Sequence, residues 1–78
     1  MSAVAQAVEF DDDMMHVSLA DGRVVSVPIL WFPRLSKATR AERENCDISP
    51  AGIGIHWPDI DEDLSVAGLL AGADSTSA

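Results

Sequence analysis

Three groups of residues in this chain have types and spacings that could do chemistry. Asp11, Asp12 and Asp13 form an acidic run beside Glu9, and Asp59, Asp61, Glu62 and Asp63 form a second. Four of the five basic residues, Arg34, Lys37, Arg40 and Arg43, fall between positions 34 and 43. Carboxylates at such short intervals can ligate a metal, cap a helix, or imitate DNA, which carries one negative charge per ~1.7 Å of duplex axis. Neither acidic run has the D-x-D-x-D-G-x5-E pattern that wraps calcium, so no metal is expected. The basic residues recur at intervals of three, which on one continuous helix would align most of them as a stripe. His16 and His56 sit in apolar-flanked runs, where packed, hydrogen-bonded rings are expected.

Covalent catalysis finds little support. Cys46 is followed by Asp47, whose negative charge raises a thiol pKa, and no Gly-x-Ser-x-Gly elbow is present. Gly52 and Gly54 flank a single residue with no lysine after them, which excludes a phosphate-cradling loop. Neither an enzyme nor a cofactor is expected.

The elements that position these groups follow from hydropathy. The chain has 78 residues and 47% hydrophobic content, enough to fold, with a mean hydropathy of +0.12. Residues 3–10 alternate imperfectly, and 14–20 place Met15, Val17 and Leu19 on one face at period two, so both read as strands. The acidic run falls in the turn between them. Asp21-Gly22 then separates this run from RVVSVPIL and predicts a hairpin turning at these two residues, both of which tolerate positive φ and of which Gly22 is expected to need it, while Pro28 belongs at a strand end or edge. Thr39 and Glu42 fit a T-x-x-E capping box, which predicts a helix over about 40–45. Ile48 and GIGIHW predict two short strands around a turn at 50–52, with Ile53, Ile55 and Trp57 sharing a face. Leu64, Leu69 and Leu70 lie near helical spacing behind a turn rich in acids, which predicts a short terminal helix. The expected architecture is a single α+β domain over 1–72. It has an antiparallel sheet of about four to five strands, a short inserted helix, a short C-terminal helix and a flexible tail at 73–78.

Charge narrows the function. The formal net charge is -8, with -4 over residues 1–33, +1 over 34–47 and -5 over 48–78. General affinity for nucleic acid is disfavoured, because it arises largely from Lys and Arg at phosphates. No apolar run reaches the roughly 18 residues of a membrane span, and the N-terminus lacks a basic region followed by a long apolar one. A lone cysteine without a leader predicts the reducing cytoplasm.

With DGRVVSVPILWFPRLSKATRAEREN before it, the string GIGIHWPDIDEDLSVAGLLAG resembles the small bacterial and phage family called domain of unknown function 2442. The resemblance runs from about Val8 to Gly72 and rests on the signature H-W-P-x-x-D-E-D-x-S-V-x-x-L-L. It implies a compact α+β domain without known enzymatic activity, often encoded beside a second small protein in pairs of the toxin and antitoxin type. Some members carry an added DNA-binding domain after this region, where this chain is expected to stop.

The leading expectation is a non-enzymatic inhibitor that binds a basic, DNA-binding surface of another protein through Glu9, Asp11, Asp12, Asp13, Asp59, Asp61, Glu62 and Asp63. A phage anti-CRISPR acting on a Cas effector subunit is preferred over an antitoxin acting on a small toxin, because the charge is extreme and acidic. A second contact surface would use Trp31 and Phe32 with Arg34, Arg40 and Arg43. The competing class is a DNA-binding regulator that uses the Arg34 to Arg43 stripe. The pairing of His56 with Trp57 and Pro58 is read as core packing in preference to a surface anchor.

Overall fold

The computed structural model describes residues 4–71. Period-two runs give the first sheet, a meander of β1 (Ala5–Phe10), β2 (Met14–Leu19) and β3 (Val24–Pro28). Register places Val17 opposite Val8 and Val25, so Met15, Val17 and Leu19 all point inward and are buried. Pro28 ends the outer strand, where its missing donor breaks no ladder.

A turn of 3-10 helix at Ile29–Trp31 leads into α1 (Pro33–Lys37), which has Pro at its first position, and α2 (Arg40–Glu44) follows. The capping box at Thr39 is present in full: its hydroxyl accepts from the Glu42 N–H, and the Glu42 carboxylate accepts from the Thr39 N–H. The second sheet is the meander β4 (Asp47–Ile48), β5 (Gly54–Trp57) and β6 (Glu62–Ser65), and α3 (Val66–Leu70) starts at a Ser65 N-cap.

The α+β class stands, but among the described residues six strands form two three-stranded sheets in place of one sheet of four to five. The helical stretch between β3 and β4 separates the two meanders. Their described backbone link is the Ala5 N–H donating to the Gly52 carbonyl at 2.7 Å. Residues 62–65, expected to lead into the terminal helix, pair instead with β5 as a strand, and the helix begins only at Val66. Between the sheets lies one core of Met15, Val17, Leu19, Phe32, Leu35, Ile55, Trp57, Val66 and Leu69 with smaller neighbours. Ile55 and Leu69 are buried as expected. Ile53 is not: it precedes β5 and is 62% exposed. The proposed tail at 73–78 lies outside the described residues.

The hairpin between β2 and β3 turns where Asp21-Gly22 predicts. Gly22 has φ +94, but Asp21 is not at positive φ. The Gly22 N–H donates to Leu19 O at 3.1 Å, and the Leu19 N–H donates to Arg23 O at 2.8 Å. This is a longer loop in which only the glycine is left-handed, and the Asp21 carboxylate accepts from the Arg23 N–H at 3.0 Å. Open space surrounds the position of a Cβ on Gly22, so Gly22→Val should lose about 1 kcal/mol or slightly more from backbone strain alone. A melting curve superposable on that of the wild type would remove the need for a left-handed residue there.

Candidate functional site

The acidic turn between β1 and β2 is built by its first aspartate. One Asp11 carboxylate oxygen accepts from the N–H groups of Asp13 (3.0 Å) and Met14 (2.7 Å). The other lies 2.8 Å from His16 Nε2, whose Nδ1 is 2.7 Å from the Ser26 hydroxyl. The His16 contact and these two amides hold the Asp11 carboxyl at about 2, well below its ordinary 3.8. Asp11 is thus a turn-forming residue, while Glu9, Asp12 and Asp13 stand exposed around it.

A carboxyl whose pKa falls on folding stabilises the native state above its unfolded pKa, and that contribution is lost as pH drops through the folded value. For Asp11 the window is about 3.8 down to about 2. Asp11→Asn should therefore flatten the acid limb of a melting temperature against pH profile within that window. An unchanged slope would show that this carboxylate is not linked to folding.

The second acidic run divides by role. Glu62 is buried at 7% exposure, opposite Trp57, and accepts from the Asp63 N–H at 3.1 Å, so it is not available as a surface contact. Asp61 has φ +52, a conformation tolerated by Asp, and its carbonyl accepts from Arg34. Asp59 accepts from the Asn45 amide at 2.9 Å. Asp63 faces outward, 2.7 Å from His56 Nδ1. Both histidines are hydrogen-bonded as expected, but they line the outer faces of the sheets and do not join the core.

The cationic stripe does not exist as one helical face, because α1 ends at Lys37 and α2 begins at Arg40. Arg43 donates to the carbonyls of Leu35 (2.7 Å) and Ser36 (3.0 Å), satisfying the end of α1. Arg40 pairs with Glu44 at 3.5 Å. A small crevice lined by Phe10, Asp11, Asp12, Arg40 and Arg43 sets the acidic turn beside α2. Of the alternative apolar anchor, Phe32 is fully buried, whereas Trp31 is exposed beside the exposed Leu30. Trp57 lies in the core with its indole N–H on the Arg43 carbonyl at 2.9 Å, so the tryptophan of the H-W-P element packs as expected, while His56 and Pro58 lie outside the core.

A concave groove of about 660 Å³ runs along the outer face of the second sheet. Asp47, His56 and Asp63 stand in a cross-strand row, and Gly54 pairs with Ser65 in the next outward row. Pro50 and Ile53 form a wall, and the Ser49 hydroxyl accepts from the Ile53 and Gly54 N–H groups at 3.2 Å each. Asp47 and Ile53 were not among the site residues expected from sequence. The available signal was the alternation in Gly54-Ile55-His56-Trp57, which sends Gly54 and His56 to the face opposite Ile55 and Trp57. Among the described residues no three His, Cys, Asp or Glu side chains are arranged to hold a metal ion. Burial, then the Asp47 charge, pushes the Cys46 thiol up.

These features define a small α+β domain of two antiparallel meanders bridged by short helices, with most of its charged side chains exposed. The chain belongs to the family described as protein of unknown function (DUF2442), whose profile matches residues 5–75. It is similar to a protein of unknown function from Rhodospirillum rubrum whose crystal structure is known. That protein is 28% identical with a TM-score of 0.85, and the likeness covers 99% of this chain and 95% of that one. It is also similar to an uncharacterised protein from Chromobacterium violaceum with a solution structure. Here the identity is 24% and the TM-score 0.80, over 95% of this chain and 70% of that one, a likeness of fold alone. No curated protein matches the chain. Most positions of the family signature have folding roles in this chain: Trp57, Val66 and Leu69 fill the core, Asp61 turns the backbone, Glu62 is buried, and Ser65 caps α3.

Proposed function

We propose that the domain is a non-enzymatic inhibitor that binds a partner protein by offering carboxylates to lysines and arginines that would otherwise hold nucleic acid. The observation supporting this reading is that Glu9, Asp12, Asp13, Asp47, Asp59 and Asp63 all remain solvent-exposed on a chain of net charge -8. Such a surface raises the encounter rate with a cationic groove and contributes little to the stability of the fold. The preferred role is a phage anti-CRISPR that covers the DNA-binding surface of a Cas effector. An antitoxin on a basic toxin would use the same chemistry. Either role belongs in the cytoplasm.

The test is capture of the native partner followed by competition with duplex DNA. The domain and the duplex should exclude one another, and binding should weaken as salt rises. Charge reversal of Glu9, Asp12 and Asp13, or of Asp59 and Asp63, should abolish capture while leaving the melting temperature within the small shift expected of exposed ion pairs, ~0 to 1 kcal/mol. A ternary complex of partner, duplex and domain, or capture that survives both sets of reversals, would overturn the reading.

A further inference from the structure

We infer that the groove on the outer face of the second sheet is a docking site for an extended peptide segment of a partner protein, one that carries an arginine or lysine two positions from an apolar residue. This inference rests on the acidic-surface reading and assigns it a place. Among the described residues no lysine or arginine lines the groove, whereas Asp47 and Asp63 flank His56 across its width. The rest of the lining is apolar or small: Pro50 and the 62% exposed Ile53 form a wall, and Gly54 leaves the floor without a side chain. A cationic group beside an apolar one is the complement of that surface.

The spacing fits an extended ligand. The row of Asp47, His56 and Asp63 and the row of Gly54 and Ser65 are two residues apart along β5. At ~3.3 Å per residue that is roughly 6.6 Å, the distance between the i and i+2 side chains of an extended peptide, which point to the same side. One ligand residue can thus reach the carboxylates while the next on that side covers Gly54 and rests on Ile53. Peptides recognised through alternate side chains on a sheet follow the same period.

The floor residue supplies the decisive variant. An ideal Cβ on Gly54 meets only the Leu64 carbonyl oxygen, at 3.5 Å, an ordinary contact, and the backbone there is extended. Gly54→Ile should therefore fill the groove without unfolding the chain, and the dispersion of its amide NMR spectrum checks that directly. The probe is a capped heptapeptide with arginine, isoleucine and arginine at alternate positions separated by serines, titrated into the isotopically labelled domain. Amide shifts should concentrate at residues 47–56 and 63–65. Gly54→Ile should eliminate them, and Asp47→Asn with Asp63→Asn should weaken binding by roughly five- to tenfold, the scale of two exposed ion pairs. Replacing the isoleucine of the probe by serine should also weaken it. Absence of binding, or binding unaffected by Gly54→Ile, would overturn the docking site. Shifts centred on residues 9–13 would do so too while leaving the acidic-surface reading intact. Failure of the capture and competition experiment, with the groove still taking the peptide, would retire that reading alone.

Discussion

Trp57→Ala is expected to bring the domain close to its unfolding threshold at room temperature. Trp57 is fully buried, meets Phe10 edge to face at 6.4 Å between ring centres, and donates its indole N–H to the Arg43 carbonyl. Truncating a buried tryptophan costs about 3 to 5 kcal/mol, and the orphaned carbonyl adds to that. A chain of this length is stabilised by only ~4 to 12 kcal/mol in total. In denaturant titrations followed by circular dichroism the midpoint should fall by a large fraction, with Trp57→Phe intermediate because it restores the ring but not the donor. A loss below ~1 kcal/mol for the alanine variant would mean that the site collapses around the cavity and that the tryptophan does not organise the core.

Gly52→Val should rank next, and its comparison with Gly22→Val isolates the cause. Both glycines are left-handed, with φ +70 at Gly52 and +94 at Gly22. Around Gly22 a Cβ meets nothing, whereas at Gly52 it would lie 2.7 Å from the Val4 Cβ and 3.1 Å from the Ala5 carbonyl oxygen. Those atoms belong to the segment that enters the first sheet, and the Gly52 carbonyl is the acceptor for the Ala5 N–H. Strain of ~1 to 2 kcal/mol is common to both sites, and overpacking adds about 1 to 3 kcal/mol at Gly52 alone. Equal losses in the two variants, measured by thermal melts at one pH, would show that the sheets separate without cost at this joint.

What could be read from sequence was local. Met15, Val17 and Leu19 declare their face because two-residue alternation is forced by the pleat, and the Thr39 capping box fixes where α2 begins. That box already conflicts with a single arginine stripe, since a helix starting at Arg40 cannot carry Arg34 and Lys37 on the same face. The strand at Glu62-Asp63-Leu64-Ser65 was hidden because acids and serine have little β-propensity. Pairing with β5 and burial of Glu62 against Trp57 create it. Ile53 was misplaced because the left-handed turn at Gly52 delays the start of β5 by a residue. The candidate site was legible as charge but not as shape. Nothing in the sequence of the two acidic runs distinguishes Asp11, committed to a turn, and Glu62, buried, from Asp63, which faces solvent.

The meander order of both sheets also bears on how quickly the chain finds its structure. Every strand pairs with its neighbour in sequence, so each ladder can zip from a short loop without first closing a long one. The Ala5 to Gly52 link, the Arg34 contact with the Asp61 carbonyl and the Phe10 to Trp57 ring pair are among those that must wait for distant segments to meet. Contacts made late leave the folding rate nearly untouched when removed and accelerate escape from the native state instead. In stopped-flow measurements, damage at Gly52 should therefore steepen loss of structure while refolding keeps its speed. In a domain this small, the joint would set the lifetime of the folded state more than the rate at which it forms.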